Sequence, residues 1–197
     1  ADVFVTNLRP GSRARSLLRY DDLRRYRADL VYCAAAGFPP DDPRADDAAY
    51  DDIIQSAAGM VDVHDRAGLS ATLSPTILVD KVTGMAIAIA ITSALLERER
   101  TGAGTEITLA MSEVMTGFLL VEHGAAAIPE PPTGAPGYPR LLSPERRPLR
   151  TADGFVTILA YERSQFEGIM RIGDRDDLID DPRFESRIGR LEHMDEL

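Results

Sequence analysis

The chain has a single cysteine, a single lysine and no excess of positive charge. Each shortage excludes something. Cys33 has no partner for an internal disulfide, which fits a reducing cytosol, and a cytoplasmic protein is expected. Lys81 is alone among the arginines, a bias spread over the whole chain rather than a mark of one site. A formal net charge of −10 argues against non-specific binding to nucleic acid or to an anionic membrane surface. It leaves room for an anionic ligand, because arginines grouped within a Debye length, roughly 8 Å, act locally. Arg9, Arg13 and Arg15 form such a group. No apolar run reaches the ~20 residues of a membrane span. Residues 85–96 are apolar almost all round but shorter, they include Thr92 and Ser93, and they read as a buried helix. The first residues lack the basic-then-apolar pattern of a signal peptide. Internal repeats and runs of glycine are also missing.

What is present is a globular composition, 44% apolar, enough for a real core. Residues 1–6 alternate like a buried strand, Pro10-Gly11 turns the chain, and residues 12–27 read as helical, with a candidate break near Tyr20-Asp21 and an apolar face of Leu17, Leu18, Leu23 and Tyr26. Residues 30–35 read as the next strand, with Cys33 a small core residue inside it and Gly37 closing it. Strand, helix and strand in such short compass predict a βαβ unit and a parallel sheet. Ligands of such sheets lie beyond the carboxyl ends of the strands, where Asn7 falls. Residues 38–48 read as a solvated loop, and 50–60 as a helix with Ile53, Ile54, Ala57 and Ala58 inward. Residues 61–75 show no clear element. A strand is expected at 106–110 and a helix capped by Ser112 from there to about His123. The prolines and glycines of 129–139 exclude regular structure. Beyond them a strand is expected at 155–160, a helix at 163–172 and a last helical segment at 185–197.

The acid of Leu78-Val79-Asp80-Lys81-Val82-Thr83-Gly84 stands between a short apolar run and a long apolar helix. Two readings are open. Asp80 can be an N-cap, its carboxylate accepting backbone N–H groups of the first turn. It can also be a nucleophile, kept ionised by the field of the helix N-terminus. Gly84 reads as allowing close packing at the start of the helix, and Tyr50 as a packing residue. His64, His123 and His193 are scattered, with no nucleophile at a suggestive spacing and no metal set.

The same stretch resembles the class III CoA-transferases, the family of carnitine dehydratase and the bile-acid-inducible proteins. The resemblance extends over Asn7-Leu8-Arg9-Pro10-Gly11, over Ala49-Tyr50-Asp51 with Gln55 and Gly59, and over Leu95-Leu96-Glu97-Arg98-Glu99-Arg100-Thr101-Gly102. It continues through Gly137-Tyr138-Pro139-Arg140, Arg146-Arg147-Pro148, Asp153-Gly154-Phe155 and Asp181-Pro182-Arg183-Phe184. These landmarks come in the family's order and cover nearly the whole chain. The resemblance implies an α/β fold: part of a Rossmann-like parallel-sheet large domain followed by a smaller α+β domain. It further implies that this is the middle of a longer chain. The division expected is 1–111 for the CoA-binding domain with the catalytic aspartate, 112–149 for a helix and Pro/Gly-rich linker, and 150–197 for part of the small domain.

By the resemblance Asp80 is the catalytic nucleophile, and Asn7, Leu8 and Arg15 contact coenzyme A around its adenine and phosphate end. An arginine fork suits phosphate oxygens. The partners implied are an acyl-CoA and a carboxylic acid acceptor, with no metal and with an interlocked homodimer as the assembly. The α-methylacyl-CoA racemase branch of the superfamily uses a histidine before an aspartate as its base. Ala49-Tyr50-Asp51 stands there instead, which counts against a racemase. A catalytically inactive truncated fragment is the third reading.

Overall fold

The computed structural model describes the backbone of residues 1–197 and all side chains except those of Leu191 and Asp195. Two compact units divide it, Ala1–Tyr138 and Pro139–Leu197. In the first, β1 (Val3–Thr6), β2 (Val31–Ala36) and β3 (Thr105–Ala110) form a parallel sheet in that order, with Val3 opposite Val31 and Ala36 opposite Ala110. The central strand is buried on both faces. Tyr32 and Ala34 pack with Phe4, Tyr20 and Leu23, and the alternate residues Val31 and Cys33 are also fully buried. Burial pushes the Cys33 thiol above its ordinary pKa, so it stays neutral, as a core residue should.

The crossover from β1 to β2 is not one helix. It is α1 (Pro10–Arg15) and α2 (Tyr20–Leu23), separated where Leu17 takes a left-handed φ of 54°. That break turns Leu17 to solvent, and Tyr26 lies past the end of α2, so neither belongs to an apolar face. Tyr32 Oη ties the break down by donating to Leu18 O at 2.8 Å.

The crossover from β2 to β3 has α3 (Asp51–Ala57), α4 (Met60–Arg66) and α5 (Leu78–Thr101). Gly59, at φ 94°, separates α3 from α4, and α4 occupies part of the stretch in which no element was expected. The inward residues of α3 are Asp51, Ile54 and Gln55, while Ile53 and Tyr50 face solvent. Ile54, Met60, Phe38 and Val79 form one core cluster with Met115 and Leu119 of α6 (Met111–His123). Ala110, not Ser112, is the N-cap of α6, and the Ser112 N–H instead reaches Gly37 O at 3.0 Å.

Helix α5 packs on β2, β3, α3 and α6, with Val79, Thr83 and Ala94 buried. The fully buried helix expected from its composition is not what forms: Met85, Ile89 and Leu96 are all at least half exposed. At 24 residues it is also long and apolar enough to cross a membrane, so length no longer argues against that. It ends at Gly102, left-handed at φ 72°, as a helix C-terminus favours.

A Cβ on Gly104 would lie 2.4 Å from Leu30 O and 2.7 Å from Leu30 N, both immovable backbone. Gly84, contrary to the close packing expected, has open space around it. Gly104→Ala should therefore cost about 1–3 kcal/mol, read as a lower urea midpoint. Gly84→Ala, in a helix interior, should gain up to about 1 kcal/mol. Equal midpoints for the two variants would contradict this packing.

The second unit carries a small antiparallel pair, β4 (Leu149–Arg150) and β5 (Phe155–Val156), shorter than the strand expected at 155–160. Helix α7 (Arg163–Ile172) and α8 (Arg187–Glu192) follow. Phe166, Met170, Leu178 and Phe184 form its core. Arg190 is buried there and donates to the carbonyls of Phe184, Glu185 and Tyr161.

Candidate active site

Because all three strands are parallel, their carboxyl ends share one edge of the sheet. Asn7 follows β1, Gly37 follows β2 and Met111 follows β3 at that edge. Helix α5 runs the opposite way. Near its end Arg98 donates to Asp2 O at 3.2 Å and Asp29 O at 3.3 Å, at the amino ends of β1 and β2. A helix of 24 residues extends about 36 Å, and a six-residue strand about 20 Å. The first turn of α5, with Asp80, therefore lies toward the carboxyl edge. Val79 beside it packs in the cluster with Phe38, which comes just after β2.

The loop after β1 is tied to the loop after β2. The Gly11 N–H donates to Asp46 Oδ1 at 2.9 Å, and Arg9 Nη1 to Asp46 O at 3.2 Å. Thus the loop that begins after Gly37 links both candidate regions: Asp46 holds the Asn7–Gly11 turn, and Phe38 packs with Val79. Asn7 and Leu8 are exposed at the end of β1, where the Leu8 N–H donates to Thr6 Oγ1 at 3.2 Å. Arg15 is exposed, and its Nη2 donates to Ser12 Oγ at 3.0 Å. It is the last residue of a six-residue helix, so it stands at the negative end of that short dipole. The field of a helix N-terminus does not assist it. Arg13 is buried, unlike its two neighbours in the arginine group.

Asp80 is the third residue of α5, not its cap. No strand precedes it, and Ile77 is the N-cap without a side-chain hydrogen bond. The reading of Asp80 as an N-cap is thus corrected. A carboxylate in the first turn still benefits from the helix dipole, by about 0.3–1 kcal/mol. The side chain is exposed. Its own N–H donates to Asp51 Oδ1 at 3.1 Å, so that amide is already engaged and is not an open donor for an oxyanion. Lys81 Nζ turns away to Thr76 Oγ1 at 2.8 Å. Asp51, to which the sequence assigns no role, thus holds the Asp80 amide; it stands four residues before Gln55 on the buried face of α3.

The histidines have other partners. His64 Nδ1 lies 2.7 Å from Thr72 O, His123 Nδ1 accepts the Tyr138 N–H at 3.3 Å, and His193 Nδ1 lies 3.0 Å from Glu196 Oε1. Tyr50 stands exposed before Asp51.

Known proteins bear on this arrangement. The chain is 30% identical to the "Probable fatty acyl-CoA transferase Rv3272" of Mycobacterium tuberculosis, over 100% of this chain and 52% of that protein. It is 29% identical to the "Succinate--glutarate CoA-transferase" of Agrobacterium fabrum, over 100% of this chain and 49% of that protein. The crystal structure of a CAIB/BAIF family protein from Brucella suis superposes with a TM-score of 0.80 at 27% identity, covering 100% of this chain and 52% of that one. The chain thus spans about half the length of the curated relatives it matches. Its fold is the α/β fold of that family, with part of a parallel-sheet large domain and a smaller unit after it. The family model for CoA-transferase family III matches residues 1–197, and the chain belongs to that family.

Proposed function

We propose that the full-length protein transfers CoA between an acyl-CoA and a carboxylic acid, with Asp80 as covalent nucleophile. One observation carries this reading within the family. Asp80 is an exposed carboxylate in the first turn of a helix that begins toward the carboxyl edge of a parallel sheet. Ligands of open α/β folds bind at that edge.

The steps balance without water. Asp80 attacks the thioester carbonyl, the C–S bond breaks and CoA leaves as thiolate, giving a mixed anhydride. The thiolate attacks the Asp80 carbonyl and releases the first carboxylate, which leaves an aspartyl-CoA thioester. The acceptor carboxylate then attacks that carbonyl and expels the CoA thiolate, giving a second anhydride; the thiolate attacks the acceptor's carbonyl, and Asp80 leaves as its carboxylate. Asn7, Leu8 and Arg15 hold the CoA at the end of β1. The 197 residues alone are expected to be inactive, and the full-length enzyme is expected to be a homodimer.

The test is a mass-spectrometric exchange assay of the full-length protein with CoA thioesters and a panel of carboxylic acids. Transfer of CoA among the acids supports the reading. Epimerisation of a 2-methylacyl-CoA without transfer would sink it.

A further inference from the structure

We propose that Asp51 is a positioning residue for Asp80, acting through a directed hydrogen-bond relay from Ser74 to the first turn of α5. This rests on the reading of Asp80 as nucleophile. Asp51 is buried, and both of its oxygens are engaged. Oδ1 accepts the Asp80 N–H at 3.1 Å, and Oδ2 accepts Gln55 Nε2 at 2.6 Å. Gln55 is fully buried, and its Oε1 accepts the Ser74 N–H at 2.8 Å.

The partners of this buried carboxylate are a carboxamide and a backbone amide rather than a cation. Burying a carboxylate is costly unless its lone pairs are satisfied. What the arrangement secures is the position of one backbone group. The usual first-turn cap comes from the N-cap residue of the same helix. Here the N-cap, Ile77, offers no side-chain bond, and the acceptor comes from another helix 29 residues upstream. The amide it holds is that of Asp80. The Asp80 side chain projects to solvent, so its location follows from where its backbone is fixed. The same relay fixes Ser74, three residues before Ile77, and so holds the loop that leads into α5.

The relay has a polarity. Both ends are backbone donors, so the two side chains must present acceptors outward and one donor between them. One carboxylate and one carboxamide meet that need in either order. Two carboxamides, as in Asp51→Asn alone, do not: if each presents its oxygen outward, two NH2 groups face each other. Combining Asp51→Asn with Gln55→Glu meets the need again. The carboxamide then at position 51 accepts from the Asp80 N–H and donates to the carboxylate at position 55. That carboxylate accepts from the Ser74 N–H, and the pair keeps one negative charge as before.

The test uses full-length enzyme carrying Asp51→Asn, Asp51→Asn with Gln55→Glu, or Asp80→Asn, assayed well below each variant's unfolding midpoint. Asp51→Asn should lower kcat about tenfold, because small displacements of a reacting group are costly. KM for the acyl-CoA should stay nearly constant, as expected when only the transition state is affected. The double variant should recover most of the lost kcat. A merely structural role would lower the unfolding midpoint without splitting kcat from KM. Wild-type kcat in Asp51→Asn overturns the inference. So does a double variant that is as slow as the single one, or that does not fold, since its pairing pattern is the native one. Asp80→Asn separates the two levels. If it retains turnover, the nucleophile reading falls and this inference with it. If it is inactive while Asp51→Asn keeps full kcat, only the positioning role is lost.

Discussion

Asp80→Asn in the full-length enzyme is expected to abolish CoA transfer while leaving the fold intact. The side chain is exposed, and the hydrogen bond that matters locally is made by its backbone N–H to Asp51, which asparagine retains. The variant loses only the attraction of a carboxylate to the helix dipole, about 0.3–1 kcal/mol. An amide cannot attack a thioester to form an anhydride, so turnover should fall by at least about 1,000-fold. A purely structural role for Asp80 in the first turn predicts the same small loss of stability but a normal rate. Trapping separates them further. Hydroxylamine added during turnover should convert Asp80 to its hydroxamate, because both the anhydride and the thioester are activated at that carbon. Modification of Asp51 instead, or near-normal transfer by Asp80→Asn, would reassign the nucleophile.

The parallel sheet was legible because alternation and a short crossover leave few alternatives. In the sequence Gly102 and Gly104 fit the end of α5 equally; the left-handed backbone falls on Gly102, a conformation glycine takes without cost. What was hidden was tertiary. Leu17 looked like part of an apolar helical face, but its left-handed backbone breaks that helix and turns the side chain out. Ile53 and Ile54 are equally apolar, yet only Ile54 meets Phe38, Met60 and Val79. The burial of α5 was read from composition. Composition says that Met85, Ile89 and Leu96 are apolar, but not that any of these residues is covered.

The candidate site shows the same division. Asp80 stood out as an acid at the start of an apolar helix, and the family resemblance gave it a role. Asp80 stands three residues past the cap, since no strand runs into it and Ile77 is the N-cap. The Asp51 partner could not be seen from the α5 sequence, because an acceptor from another helix leaves no local signature there. The pair Asp51 and Gln55 did carry a signal of its own, two polar groups one helical turn apart on the face that holds Ile54.

Arg15→Ala should weaken CoA binding by about one to two powers of ten, the equivalent of losing one charge-assisted contact of about 1.5–3 kcal/mol. Arg15 is free to serve: it is exposed, and its hydrogen bond to Ser12 Oγ can be exchanged for a phosphate oxygen. The turn that leads into its helix is held by Asp46 through Gly11 and Arg9, at the other end of α1. The competing account is local. An arginine at the end of α1 favours the helix dipole, and that alone would leave CoA affinity unchanged. Two further measurements discriminate. Arg15→Lys keeps the charge but loses the planar fork, so its affinity should fall between those of wild type and Arg15→Ala. Removing the 3′-phosphate tests which group is bound. If Arg15 meets that phosphate, dephospho-CoA should bind wild type more weakly than CoA does, while Arg15→Ala should hardly distinguish the two. If wild type and Arg15→Ala discriminate equally, the contact is to the pyrophosphate instead. Unchanged CoA affinity of Arg15→Ala at low salt, where exposed charges act most strongly, would remove Arg15 from the site.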